Sequence, residues 1–397
     1  MEDNNQFIFV KKFIREKEKK KNIKSNYLLT IRKQKLVISI LIIIIKILLC
    51  LIIAIFLFMK NLIDSGGKNI NSLLNLFSKN ENNYFKLKKR LFQTRLDPIP
   101  EGKNQIHISM TVDNKFVFPC LISMTSALYN NNQKKNIIIY HLIFSSDFNP
   151  DNYQIFESLK KKFDFSLNYY IMPISFKNYR KWHGGTETIY YKIYLPLIFH
   201  DLDRIIYLDG DTMVFKDLYE MYNLPFNGNY ALGYPFQSTY LLDKFNKKVI
   251  YYINAGVILF NIEIIRKDNK DIELIKYTKD NNNRLYFLEQ DAINLVFYQK
   301  IGILPLKYGI YMYGNIDNFD KKVQKEVRFK LNRDEVINAI NDPAVIHFSC
   351  CNPKLWYKES KNVFGSGHEY CERFHKEFYN YAKKTDYYDK IYSTYIK

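Results

Sequence analysis

The stretch RIIYLDGDTMVF (204–215) joins an apolar, β-branched run to two carboxylates one residue apart, Asp209 and Asp211. A second apolar pair, Val214 and Phe215, follows at once. The run has the length and composition of a buried strand. In an open parallel sheet, ligands bind beyond the carboxyl ends of the strands, which is where the two aspartates fall. Strand alternation sends both carboxylates to one side, and Gly210 between them leaves the backbone room for a ligand to approach. Two carboxylates held this close repel unless a proton or a cation lies between them. A hard divalent cation, bound through one or two carboxylates and substrate phosphates, resolves the conflict. A bare Asp-x-Asp is more often a capped turn with two solvated aspartates. One that closes an apolar strand is more specific.

The surroundings support a strand at 204–208. QIHISMTV (105–112), NIIIYHLIF (136–144) and LNYYIMPI (167–174) read as strands. KFVFPCLISMTSALYNN (115–131), NPDNYQIFESLKKKF (149–163), TIYYKIYLPLIF (188–199) and FLEQDAINLVFYQ (287–299) read as helices. In the second of these, Asn149 is the expected N-cap, with Pro150 at the first helical position. YALGY (230–234), AGVILFN (255–261) and PAVIHFS (343–349) are further strands. Strands apolar on both faces, alternating with helices, predict an α/β fold with a mostly parallel central sheet covered on both sides.

The N-terminal part reads differently. Residues 1–35 form a basic tail with eleven Lys/Arg against four Asp/Glu, part of the formal charge of +19. No nucleic-acid motif accompanies that charge, so no nucleic-acid partner is expected. Residues 36–59 are almost uniformly apolar over 24 positions, interrupted by Lys46, and long enough for one transmembrane helix. The basic flank before the span predicts a cytosolic N-terminus, hence a single-pass type II anchor with the remainder lumenal, in the Golgi or another secretory compartment. Residues 60–103 are polar and turn-rich and read as a stem. Cys50 falls in the span; Cys120, Cys350, Cys351 and Cys371 show no CxxC spacing, so a zinc site is not expected.

RIIYLDGDTMVFKDLYEMY resembles the signature of glycosyltransferase family 8, the glycogenin-like and lipopolysaccharide-galactosyltransferase-like enzymes. Further stretches resemble the family's motifs in the same order: ISMTVDNKFVFPCLISMTSAL (108–128), TIYYKIYLPLIF, YYINAGVILFNIEIIRK (251–267), FLEQDAINLVF (287–297) and AVIHFSCCNPKLWY (344–357). The resemblance implies a GT-A domain over 104–360, a Rossmann-like nucleotide-diphospho-sugar transferase fold, followed by an aromatic and basic segment at 361–397. It implies a retaining hexosyltransferase that moves a sugar from a UDP-sugar, with Mn²⁺ as cofactor, to a glycan, lipid or protein acceptor. The implied metal ligands are Asp209, Asp211 and His347. The donor would be held by Thr111, Asp113, Asn114, Lys192, Asp209, Gly210, Asp211, Asn254, Ala255, Gly256, Glu289, Gln290 and Lys354. Gln290, Asp291, Lys192 and Asn254 would serve the reaction, with Gln290 near the anomeric carbon and Glu289 or Asp291 on sugar hydroxyls. The alternative is a catalytically silent, membrane-anchored sugar- or nucleotide-binding protein on the same fold. The chain also departs from the family: Lys192 stands where an arginine is usual, Lys115 where an aromatic is frequent, and Leu355 where a proline is usual. Within 370–397, Phe374, Phe378 and Tyr381 form a helical stripe that would dock on the domain or on the membrane surface, the domain being the favoured of the two.

Overall fold

The computed structural model describes residues 93–181, 185–236, 252–309, 332–349, 351–352, 354–357, 361–362 and 368–396. All lie in the second of two units into which the chain divides, Asn82–Lys397. The basic tail, the apolar span 36–59 and most of the stem lie outside the described residues. No helix among the described residues is long and apolar enough to cross a membrane.

In chain order the first strands are β1 (Gln93–Arg95), β2 (Asn104–Val112), β3 (Asn136–Phe144), β4 (Phe165–Ile171) and β5 (Arg204–Leu208). After them come β6 (Thr212–Val214), β7 (Ala231–Pro235), β8 (Ile253–Asn261), β9 (Ile301–Ile303) and β10 (Val345–His347). Eight of them form one sheet in the order β1-β4-β3-β2-β5-β8-β7-β9. β4, β3, β2 and β5 run parallel. β8 runs antiparallel between β5 and β7, and β9 is parallel to β7. The chain adds β3 and β4 on one side of β2 and then crosses to add β5 on the other, which makes the carboxyl ends of β2 and β5 a switch point.

Every residue of β3 is buried, as the unbroken apolar run NIIIYHLIF predicts for a strand covered on both faces. Alternation sorts the side chains into two cores. Ile106, Ile108 and Met110 join one with Ile206 and Leu208, while Ile205 and Tyr207 join the other. Helix α1 (Val117–Asn130) is buried over nearly its whole length, because the sheet lies on one side of it and a C-terminal helix on the other.

Three expectations change. The segment 149–163 is not one helix: Pro150–Asn152 and Ser158–Lys161 are 3₁₀ turns flanking a short α-helical piece, Tyr153–Glu157. Asn149 does cap it, accepting from the Asp151 N–H at 3.0 Å. The segment 188–199 winds mainly as a 3₁₀ helix, Glu187–Tyr194, consistent with the weak α propensity of its β-branched and aromatic run. PAVIHFS does not join the large sheet. β10 pairs antiparallel with β6 alone, setting His347 opposite Thr212.

Helix α2 (Lys270–Asn281) packs beside α3 (Glu289–Val296), and α4 (His368–Ala382) and α5 (Tyr388–Tyr395) close the chain. Phe374, Phe378 and Tyr381 of α4 are buried. Phe374 lies 5.5 Å from Phe215 and 5.8 Å from Phe348, ring centre to ring centre. The stripe docks on the domain.

Candidate active site

β5 ends at the switch point, and Asp209 follows it. Its N–H donates to the Gly256 carbonyl of β8 at 2.8 Å. The β6–β10 pair folds back over the turn, and the Phe348 N–H donates to the Asp211 carbonyl at 2.9 Å. This brings together donor atoms of Asp209, Asp211 and His347, all within 4.8 Å of one another. His347 Nε2 is 3.0 Å from Asp211 Oδ1 and 3.5 Å from Asp209 Oδ2. Asp211 and His347 are buried; Asp209 is partly exposed.

The orientation of His347 is set from behind. Its Nδ1 lies 2.7 Å from the Tyr234 hydroxyl and 3.1 Å from Asn254 Oδ1. Asn254 Oδ1 also accepts from the Gly256 N–H at 2.7 Å, which assigns the amide oxygen to this side. Nδ1 thus faces an amide oxygen and a hydroxyl that can donate or accept, and Nε2 faces two carboxylates. Either a proton on Nε2 or a cation satisfies that arrangement. The imidazole ring fits only because position 256 has no side chain: a Cβ there would meet His347 Cε1 at 2.0 Å. Two carboxylates and an imidazole, held by neighbours that orient the imidazole ring, are a donor set suited to a divalent metal.

Two lysines flank the aspartates. Lys354 Nζ is 2.5 Å from Asp211 Oδ2 and 3.3 Å from the Phe348 carbonyl. Burial by itself would raise the Asp211 pKa, but Lys354 and His347 outweigh it and hold the carboxyl well below the usual carboxylate range. Lys192 is 2% exposed. Its ammonium donates to Asp209 Oδ1 at 3.0 Å and the Ala255 carbonyl at 3.1 Å, lies 3.2 Å from Glu289 Oε1, and sits 4.6 Å over the Tyr207 ring. Burial disfavours its charge, but Asp209 and Glu289 reverse that and raise its pKa. Glu289 fares worse. Burial pushes its carboxyl up to about 7 despite Lys192, with the Asp209 charge adding to the effect. One ammonium shared by two carboxylates leaves the more buried of them under-compensated.

The remaining expected residues sort by what they touch. Gln290 Oε1 accepts from the Ala255 N–H at 3.0 Å, and its Nε2 donates to the Tyr252 hydroxyl at 3.2 Å. Asp291 is fully buried. Its Oδ1 accepts from the Tyr252 hydroxyl at 2.6 Å, and its Oδ2 from the N–H groups of Tyr286 and Phe287 at 2.6 and 2.8 Å. This corrects the expectation that Asp291 binds sugar hydroxyls: burial leaves it no oxygen toward the cleft. Thr111 bonds the Tyr207 hydroxyl at 3.0 Å. Asp113 Oδ1 accepts from the N–H groups of Lys115 and Phe116, whereas its buried Oδ2 has no partner within the protein. Asn114, which is exposed, also ties down a loop. Its amide donates to the Asp147 carbonyl and accepts from the Asn149 N–H and the Asn152 amide. Gly210 also serves packing, since what approaches it is Cys120 Sγ, which a Cβ would meet at 2.5 Å. Cys120 is a buried free thiol.

Sequence reasoning passed over three tyrosines: Tyr207, Tyr234 and Tyr252. Tyr207 donates to Asp209 Oδ1 at 2.6 Å. Tyr207 and Tyr252 each stand two residues before an expected site residue, Asp209 and Asn254, so strand alternation puts them on the same face. That signal was available. Tyr234 meets His347 across 113 residues of sequence, and no local pattern announces it.

Comparison with known proteins bears on this geometry. Residues 107–360 match the model of glycosyl transferase family 8. The lipopolysaccharide 1,3-galactosyltransferase of Salmonella typhimurium is 24% identical over 267 residues, 64% of this chain and 74% of the relative. The lipopolysaccharide 1,2-glucosyltransferase of Escherichia coli is 24% identical over 263 residues, 63% of this chain and 73% of the relative. Among solved structures, galactosyltransferase LgtC in complex with donor and acceptor sugar analogs superposes with a TM-score of 0.54 at 15% identity, covering 71% of this chain and 96% of that one. The fold is therefore GT-A-like. The lumenal, Golgi-type placement expected from residues 36–59 is corrected, because these relatives are bacterial lipopolysaccharide glycosyltransferases rather than lumenal Golgi proteins; residues 36–59 themselves lie outside the described residues.

Proposed function

The chain belongs to glycosyl transferase family 8 and is a glycosyltransferase, and from that premise we propose that it moves glucose or galactose from a UDP-sugar, with Mn²⁺ and with retention of anomeric configuration, to a glycan, lipid or protein acceptor. The observation that carries the reading is the convergence of Asp209, Asp211 and His347 at the switch point, contiguous through Lys192 and Ala255 with Gln290.

The chemistry needs this. Transfer from a nucleotide-sugar breaks a glycosyl–phosphate bond and loads charge on the departing diphosphate. Asp209, Asp211 and His347 would hold the metal, which when bound offsets that charge. Lys354 would add a mobile point charge for the same diphosphate. The unpartnered Asp113 Oδ2, at the carboxyl end of β2, is an acceptor for a hydroxyl or N–H of the nucleoside. Thr111 and Gly210 support this end of the site, and Asn114 would hold the nucleoside from the adjoining loop. Gln290 would face the anomeric carbon, with Glu289 on sugar hydroxyls and Asn254, Ala255 and Gly256 lining the sugar. Lys192 supplies, as a point charge, what an arginine fork would supply with two parallel hydrogen bonds.

The test is donor turnover by the full chain with UDP-glucose and UDP-galactose, in Mn²⁺ and then in EDTA. The expected result is UDP release that needs the metal and is lost in Asp211→Asn. Turnover unaffected by EDTA and by that substitution would remove the metal triad from the reaction.

A further inference from the structure

We propose that Tyr252 and Asp291 are positioning residues that fix the direction of the Gln290 amide, and that neither touches the donor. The inference rests on the reading of Gln290 as the group beside the anomeric carbon.

The polarity of the hydrogen-bond chain carries it. At one end, the Ala255 N–H can only donate, so the Gln290 atom facing it at 3.0 Å is the carbonyl oxygen. The amide nitrogen is thereby turned to the Tyr252 hydroxyl at 3.2 Å, where it donates. The tyrosine proton needs an acceptor elsewhere, and Asp291 Oδ1 takes it at 2.6 Å. The other Asp291 oxygen is held by the backbone N–H groups of Tyr286 and Phe287, just before α3, so the carboxylate cannot turn away. Each member admits one direction only. Reversing any link would set two donors or two acceptors face to face inside the protein.

Two further bonds hold the frame rigid. Asn294, one turn after Gln290 on α3, exchanges hydrogen bonds with both the N–H and the carbonyl of Ile253, at 2.8 Å each. The strand that follows Tyr252 and the helix carrying Gln290 are thus clamped together. Beyond Ala255 the chain continues, since the Ala255 carbonyl accepts from Lys192, which also holds Asp209. A single connected path therefore runs from Asp291 to the metal-ligand candidate. Gln290 keeps one N–H and one carbonyl lone pair uncommitted. The Ala255 N–H fixes which end of the amide is oxygen, and Tyr252, held by Asp291, fixes where its nitrogen end lies.

Tyr252→Phe deletes the middle link without changing the ring. Asp291→Asn keeps the shape at the end of the chain but offers Tyr252 a donor where it had an acceptor. Both are expected to lower kcat about 10- to 100-fold, with the KM for the UDP-sugar within about twofold and Mn²⁺ affinity unchanged, since misplacing a reacting group costs rate rather than binding. A raised KM at unchanged kcat would show that these residues contact the donor, and overturns the proposal. The second measurement does not depend on turnover. In the full chain with ¹⁵N-labelled glutamine side chains, the Gln290 amide resonance, assigned by its loss in Gln290→Glu, is expected to exchange slowly with solvent. In Tyr252→Phe it is expected to exchange fast. Equal exchange in both proteins refutes the positioning role, whatever the donor assay gives. A wild-type chain inactive toward every UDP-sugar, with the exchange difference present, would overturn the functional reading and leave the chain of bonds standing.

Discussion

Gly256→Ala adds one methyl group behind the metal-ligand candidate His347. The backbone at 256 is not in the left-handed region, so only space is at issue. An ideal Cβ would lie 2.0 Å from Cε1, 2.4 Å from Nδ1 and 2.7 Å from Nε2 of His347. Ordinary contact begins near 3.4 Å, so the ring must withdraw by more than an ångström. Its Nδ1 is held where it is, 2.7 Å from the Tyr234 hydroxyl and 3.1 Å from Asn254 Oδ1, and a ring displaced that far loses these contacts. Loss of the Nδ1 hydrogen bond costs about 0.5–1.5 kcal/mol, and overpacking of this kind typically costs ~1–3 kcal/mol. The effect on metal is larger, because ligand distances tolerate only about ±0.2 Å. Loss of a supporting neighbour alone weakens metal affinity about 10- to 100-fold, so displacement of the ligand itself is expected to weaken it at least about 100-fold. Calorimetric titration of the metal-stripped full chain with Mn²⁺ measures this, with a thermal melt as control for folding. A folded variant that binds Mn²⁺ within about twofold of wild type would falsify the assignment of His347 as a ligand.

Lys192→Met removes the buried ammonium shared by Asp209 and Glu289; in EDTA the unfolding free energy is expected to fall by about 3–5 kcal/mol, read by urea titration, and a loss below about 1 kcal/mol would show the carboxylates are compensated otherwise. Glu289 titrates near 7 in the folded chain against the usual 4.5, so its contribution to stability is full below about pH 4.5 and lost as pH rises through about 7. That loss is about 3 kcal/mol, and urea midpoints at pH 5 and pH 8 should converge in Glu289→Gln; an equal pH dependence in both proteins refutes it. Phe374→Ala empties a buried site between Phe215 and Phe348 and is expected to cost about 3–5 kcal/mol in the same urea assay. A change under about 1 kcal/mol would mean that α4 contributes little to the fold.

What the sequence determined by itself was the order of the elements and the place of the acidic turn. Runs such as NIIIYHLIF and RIIYL read as buried strands from their short length and β-branched composition, before any partner is known. The same local rule put Asp209 and Asp211 at the end of β5. The motif pattern was enough to reach the family. The tertiary structure decided what local pattern does not encode. His347 reaches the aspartates because β10 pairs with β6 rather than joining the large sheet. Asn114 and Gly210, polar or small at the expected positions, turned out to serve a loop and a helix contact, and Asp291 turned out to be sealed inside the protein. Tyr234 entered the site from 113 residues away. Periodicity reports which side of its own element a residue faces. Which group waits on that side is set by the packing of elements distant in sequence, and hydrogen-bond partners exist only once that packing is complete.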